Sequence, residues 1–433
     1  MFLRYFACFL MSLVLSGHAL AEERFFVEKI SVTARRSQMG AVKKILDQHD
    51  LREQREVTVT QIEKAKQALM NLQLFSDVKW TIKPLDNSNS EPRKNELQLQ
   101  LEDRWTLIPI AKFSSGGGVK QTTLGAYDAN FLGSLYEVGA QIERLENTNS
   151  GVAWLRAPES IAGPFGMDLQ AWKTARLRTK YVQGPVAPEI KQGFLHQREK
   201  FYLELFREVI EDVRVGLILD SESDEFSERF VPTETKDINK GVIPEDSSFL
   251  TSGLRLRYNQ LKYDSWQVIG SDLDLTSRRS LAIDGRSKSF TAIDGQYRFY
   301  LSPFTNHALA LRVKAGGSNT NAVQYWNYFG GLSDIRGFVD CRFAGKNYWI
   351  TNAEYRLPVM VGDSLVIQQV TFFDAVSAKD SPQDLSSASG ASIGLGLRII
   401  MPKIYRFTGR FDYAKPILRK DNIPISFGVQ QFF

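Results

Sequence analysis

From Trp105 to Phe433 the chain shows no convincing amphipathic helix. It repeats instead segments of roughly ten residues in which apolar and polar side chains alternate. A period of two sends successive side chains to opposite faces of a strand. In Ala308–Lys314, Leu309, Leu311 and Val313 fall on one face against Arg312 and Lys314. In Ala292–Leu301, Ile293, Tyr297, Phe299 and Leu301 oppose Asp294, Gln296 and Arg298, and in Trp349–Leu357, Trp349, Ala353, Tyr355 and Leu357 oppose Asn352, Glu354 and Arg356. A soluble sandwich and a lipid-embedded barrel both alternate in this way and differ only in which face meets water.

The connections separate the two. The pattern predicts sixteen strands, an even number as a closed single-chain barrel requires, with the fifth at 166–178 and the sixth at 199–207. The longest gaps, 179–198, 223–247, 319–345 and 378–389, all follow odd-numbered strands and so fall on one side. Gaps after even-numbered strands are about seven residues or fewer, the asymmetry of short turns against long outer loops. The strand regarded as the last, 425–433, alternates Ile425, Phe427 and Val429 before ending at Phe433.

The first 21 residues read as a cleavable export signal. Arg4 gives a short positive start, Tyr5–Leu15 is apolar, and Ala19-Leu20-Ala21 is a small-x-small cleavage pattern. Beyond them there is no run of 18 apolar residues, which excludes a helical membrane protein. Cleavage would remove Arg4 and no acid from a chain of net charge +5, a balance too mild and scattered for a nucleic-acid protein. It would also remove Cys8 and leave Cys341 without an internal disulfide partner.

Residues 22–104 form a separate α+β module. Arg24–Ala34 alternates as a strand, and Met39–His49 carries Val42, Ile45 and Leu46 at helical spacing. In Thr58–Phe75, Ile62, Ala65, Leu69 and Leu72 share a helix face, and Thr60 with Glu63 has the form of a capping box. Two further strands, Ser76–Leu85 and Glu96–Glu102, flank the polar turn Asp86–Asn95. The predicted order is β-α-α-β-β, which resembles a POTRA domain, whose exposed sheet edge can take up an extended strand.

Between the eleventh and twelfth strands lies a motif, Gly330-Gly331 followed by Ile335-Arg336-Gly337-Phe338. It resembles the (V/I)RG(F/Y) loop of the POTRA-plus-barrel superfamily, which includes BamA- and TamA-like assembly factors, bacterial surface antigens and two-partner secretion transporters. The resemblance implies that this loop folds back into the lumen and that Arg336 meets an acid on the thirteenth strand, in a pattern F-x-D-x-G. Here that stretch supplies Phe372 and Asp374, with Val376 where the family usually has Gly. Phe372 and Asp374 are two residues apart, hence on one face, and Gln368 shares it. A desolvated arginine needs a carboxylate, because an unpaired buried charge is costly. The turn Asn130-Phe131-Leu132-Gly133 looks like a further family feature.

The fold expected is therefore an all-β transmembrane barrel of sixteen antiparallel strands, residues 105–433, behind a periplasmic POTRA-like domain, residues 22–104. The expected location is the bacterial outer membrane. Expected partners are the lipid bilayer, unfolded β-barrel clients and periplasmic chaperones, with no nucleic acid. Neither enzyme chemistry nor a cofactor is expected: His49, His196 and His307 lie in different elements, Gly394-Leu395-Gly396 lacks a dinucleotide context, and Ser114–Gly118 is no phosphate loop. The leading function is assisting outer-membrane protein insertion, by strand pairing at the POTRA edge and at a barrel seam. Glycine weakens strands, and the seam joins the strand ending in Gly116, Gly117 and Gly118 to the one carrying Gly428 and Phe433. The alternatives are a two-partner-type secretion pore and a closed structural or surface-antigen barrel. Two-partner transporters carry two POTRA domains and a plug helix, so a single POTRA favours assembly.

Overall fold

The computed structural model describes residues 23–85, 93–116, 119–145, 148–159, 164–183, 188–228, 243–379, 389–418 and 425–429. The signal segment, Gly117, Gly118 and Phe433 lie outside them. The N-terminal domain runs β1 (Arg24–Thr33), α1 (Met39–Gln48), β2 (Arg55–Thr58), α2 (Val59–Asn71), β3 (Phe75–Pro84) and β4 (Lys94–Asp103). Its sheet has the order β2-β1-β4-β3, with β1 and β4 parallel. The helices cover one face and bury Val42, Ile45, Leu46, Ile62, Ala65 and Leu69 against Val27, Ile30, Val78, Leu97 and Leu99.

Two local expectations need correction. The order contains an extra strand, β2, which pairs with Arg24–Val27 and buries Val57 completely. Four residues are too few to register as a period. Because β2 runs directly into α2, the capping box sits two residues earlier than Thr60 and Glu63. The Thr58 hydroxyl accepts from the Gln61 backbone N–H at 3.2 Å, and the Gln61 side chain accepts from the Thr58 N–H at 2.9 Å.

The barrel strands are β5 (Leu107–Gly116), β6 (Val119–Phe131), β7 (Tyr136–Leu145), β8 (Thr148–Ala157), β9 (Gly166–Gln183), β10 (Pro188–Ile210), β11 (Val213–Ser227), β12 (Ser247–Asn259), β13 (Lys262–Asp264), β14 (Gln267–Ala282), β15 (Phe290–Leu301) and β16 (Ala308–Ser318). After a long loop come β19 (Asn347–Val361), β20 (Val366–Lys379), β21 (Ser389–Ile400), β22 (Thr408–Leu418) and β23 (Ile425–Val429), while β17 (Asn327–Phe329) and β18 (Phe343–Gly345) pair inside that loop. The barrel is a closed antiparallel meander in which β23 returns beside β5. The three-residue β13 and β12 both pair with β14, so they are two parts of one span and sixteen spans close the wall.

Which face meets water is settled by burial. Arg312, Glu354, Arg356, Asp374, Arg398 and Asp412 are buried inside, whereas Leu254, Ile293, Leu309, Phe373, Leu395 and Phe427 stand exposed outside. Charge within and apolar surface without is the inverse of a soluble protein, and it defines a lipid-facing wall. One expected loop is also corrected. Residues 179–198 belong largely to a ribbon in which β9 and β10 stay paired out to Gln183 and Pro188. The basic residues Arg176, Arg178 and Lys180 had masked the continuing period.

The N-terminal domain rests on one end of the barrel through the turns between strands. The Gln38 N–H donates to the Gly133 carbonyl at 2.8 Å, Gln67 donates to the Tyr263 carbonyl at 3.0 Å, and Trp105 bridges to Ile404. Gly133 has φ +75°, and a Cβ there would stand 2.2 Å from the Arg36 carbonyl. This close backbone approach needs glycine. Asn130 braces the same turn by donating to the Ser37 hydroxyl and accepting from the Leu135 N–H, both at 2.9 Å.

Candidate functional site: the loop in the lumen

The chain between β16 and β19 turns inward and brings Arg336 to full burial. Phe372 and Asp374 face it from β20. Arg336 donates from Nε and Nη2 to the two Asp374 oxygens, each at 2.8 Å, and its backbone N–H reaches Asp374 at 3.1 Å. The guanidinium carbon lies 3.5 Å from the centre of the Phe372 ring. A planar guanidinium satisfies a carboxylate edgewise and an aromatic face at once, which a lysine cannot do.

Residues that the sequence reading did not single out complete the site. Arg336 Nη1 donates to Glu354 at 2.6 Å and lies 3.6 Å from Asp412. Glu354 also receives Arg356 at 2.8 Å and Arg398 at 3.1 Å, and Arg398 reaches Asp412 at 2.8 Å. Arg336, Arg356 and Arg398 contact Glu354, Asp374 and Asp412, and the buried Arg312 and Arg410 lie within electrostatic reach of the same carboxylates. Buried charges are tolerable when paired and hydrogen-bonded in this way. Asn352 donates to Asp374 and to the Asp334 carbonyl, both at 2.9 Å, and Ser392 donates to the Arg336 carbonyl at 2.7 Å. A signal for part of this set was present, since Glu354 and Arg356 fall on the inward face of their strand. Arg398 and Asp412 meet them only through the register β20–β21–β22, which alternation does not reveal.

The glycines make the space. Gly337 turns the chain at φ +87°, with an added Cβ 3.1 Å from Ala414. On β21, a Cβ at Gly394 would stand 2.3 Å from the Phe372 ring, and one at Gly396 would stand 2.3 Å from Asp412. The Gly-Leu-Gly segment is therefore the wall against which the network fits. Gly331 donates to the Phe338 carbonyl at 3.0 Å and closes the motif on itself. Ile335 and Phe338 pack with Phe329, Phe343, Ile350 and Val376. Val376, standing where the resemblance expects Gly, is thereby part of the loop's apolar seat.

The loop also reaches the far wall. Tyr325 donates to Asp224 at 3.1 Å, bonds Ser247, stacks on Phe290 and meets Phe249 edge to face. Arg178 lies over the Tyr328 ring at 5.1 Å, and Cys341 contacts the Leu177 carbonyl. These residues sit on β9, β11, β12 and β15, so the loop bridges the lumen from wall to wall. At the seam, Gly116 ends β5 and Gly428 lies in β23, which pairs with β22 only from Gly409↔Val429 to Tyr413↔Ile425 among the described residues.

A closed barrel with a small α/β domain on one end and an arginine-held loop in its lumen is the arrangement that the resemblance to the POTRA-plus-barrel superfamily implies. Residues 227–433 match the Omp85 superfamily domain, and the chain resembles that superfamily. BamA from Haemophilus ducreyi lacking POTRA domains 1–3 shares the fold at 15% identity and a TM-score of 0.53, over 94% of this chain and 84% of that one. CdiB from Acinetobacter baumannii shares it at 14% identity and 0.57, over 93% and 72%. CdiB from Escherichia coli does so at 13% and 0.55, over 96% and 92%. No curated protein matches the sequence.

Proposed function

We propose that this chain assists insertion of β-barrel proteins into the bacterial outer membrane, with its N-terminal domain in the periplasm and client strands pairing first at the β3 edge and then at the β5–β23 seam. The observation that carries the reading is the loop itself. It crosses the lumen and is held by a buried network, so polypeptide threading through the lumen would have to displace Arg336 from three carboxylates. The seam is the alternative route. Its last strand is short among the described residues and carries Gly428, and an edge so weakened is a template for another strand. Among the described residues the β3 edge of the N-terminal sheet pairs with β4 alone, which supports a first docking site.

Cysteine pairs placed across 111–113 and 427–429, with Cys341 first changed to Ser, test this. The locked protein should fold normally and lose client insertion until reduced. Secretion through the lumen predicts that activity survives the lock, and a structural role predicts no measurable change. Full client insertion by a verified locked protein would overturn the seam mechanism.

A further inference from the structure

Between the N-terminal domain and the floor of the barrel lies a cavity of about 440 Å³. The linker residue Arg104 and the turns β13–β14, β15–β16 and β21–β22 wall it. Among the described residues lining it are Arg104, Arg298, Arg356 and Arg406, and no Asp or Glu. Two of these cations are neutralised from behind. Arg298 makes two bonds of 2.8 Å to Asp272, and Arg356 is held by Glu354.

Arg104 is not, and Arg406 has a carboxylate, Glu137, only at electrostatic range. Arg104 is 5% exposed and donates only to carbonyls, Phe75 at 3.0 Å and Ser265 at 2.6 Å. Arg406 donates to the Gln73 side chain at 3.1 Å and lies 5.2 Å over the Tyr405 ring. Every one of these acceptors is neutral, but Arg406 is exposed on its turn and its charge is favoured by the Tyr405 and Tyr263 hydroxyls and the Glu137 carboxylate, so Arg104 is the buried cation that, among the described residues, no carboxylate contacts. Burial pushes the Arg104 guanidinium down to about 10, with the Arg406 charge adding to the effect and the Tyr405 hydroxyl opposing it. A buried cation without a counter-charge, as Arg104 is here, is costly, and an anion in the cavity beside the exposed Arg406 would relieve the cost.

We propose that this cavity is an oxyanion site, in which Arg104 and Arg406 hold a carboxylate of an extended polypeptide lying across the barrel mouth. The choice of a polypeptide rests on the assembly reading above. It is favoured by size, since a phosphate ion would fill little of the volume, and by the neutral amide and hydroxyl groups of Gln267, Asn306, Gln368 and Ser302 on the walls, which suit peptide groups.

Calorimetry on the full chain in detergent micelles tests the proposal with three probes: a neutral N-acetylated pentapeptide of Gly, Ser and Gln with a free C-terminal carboxylate, its C-terminal amide, and inorganic phosphate. The free acid should bind at least tenfold tighter than the amide. Arg406→Gln should remove most of that difference and Arg406→Lys should keep part of it, with heat-modified gel mobility as the check on folding. Equal binding of acid and amide to the unaltered chain overturns the site. Phosphate binding as tightly as the acid, and displacing it, overturns the polypeptide and leaves a small-anion site. Because the assay reads binding alone, a variant that loses binding yet inserts clients normally refutes the link to assembly without touching the site.

Discussion

Removing one member of the Arg336–Asp374 pair should be far more damaging than half of removing both. Arg336→Ala strips both guanidinium bonds from the buried Asp374, which keeps the Asn352 amide as a donor. Asp374→Ala takes the same two bonds from the buried Arg336. Each single change orphans a buried charge, at about 3–5 kcal/mol. The double change removes one charge of each sign and leaves the 2.8–3.1 Å contacts of Arg356 and Arg398 with Glu354 and Asp412 in place. It should therefore cost no more than the worse single. That corresponds to a coupling of at least about 3 kcal/mol, at or above the upper end of what contacting residues give. Urea unfolding of the four proteins in detergent, followed by heat-modified gel mobility, measures the cycle. Arg336→Lys keeps the charge, loses the two-pronged contact and the stacking on Phe372, and should fall between. Losses that simply add would show that the two side chains do not act as a unit and would refute this account of the loop.

Gly396→Val would drive a side chain into the Asp412 carboxylate and should destabilise the barrel by about 1–3 kcal/mol, measured in the same unfolding assay. Tyr325→Phe removes the donor to Asp224 and should free the far-wall arm of the loop, at about 1.5–3 kcal/mol for a bond to a charged group; planar-bilayer recordings should show more frequent openings while the Arg336 anchor holds. Gly133→Ala meets both the Arg36 carbonyl and an unfavourable φ, so limited trypsin digestion should cut between the N-terminal domain and the barrel faster than in the parent chain.

The barrel was legible because lipid and lumen impose opposite chemistry on alternate residues of every span. Leu309 and Arg312 already announce their faces in the sequence, and burial agrees with both. What the period could not give was anything decided by neighbours in space. The strand β2 exists because Arg24–Val27 offers it an edge, and the cap at Thr58 follows from that pairing. The β9–β10 ribbon is held by register from Gln183 to Pro188 where the composition reads as a basic loop. The motif placed Arg336 beside Asp374, but Arg398 and Asp412 enter the same network only because β21 and β22 are staggered to bring Arg398↔Arg410 and Gly396↔Asp412 into line.

The two routes proposed for a client differ in what replaces the bonds that break. Freeing the loop would strip Arg336 from Asp374, Glu354 and Asp412, and a passing polypeptide offers no fixed set of carboxylates to take it up. The cost would be close to that of a buried charge pair broken outright, about 3–5 kcal/mol, before any apolar contact of Ile335 and Phe338 is counted. Parting β23 from β5 also exposes unpaired backbone groups, which in hydrocarbon cost several kcal/mol each if left bare. An extended client need not leave them bare. Its own N–H and C=O groups can pair with each edge as the old ladder opens, so bonds are exchanged one for one and the seam moves at little net cost. Exchange favours the seam and loss disfavours the lumen. Under the proposed function, the tightly netted loop serves as the barrel's fixed post and the glycine-bearing β23 edge as its moving part.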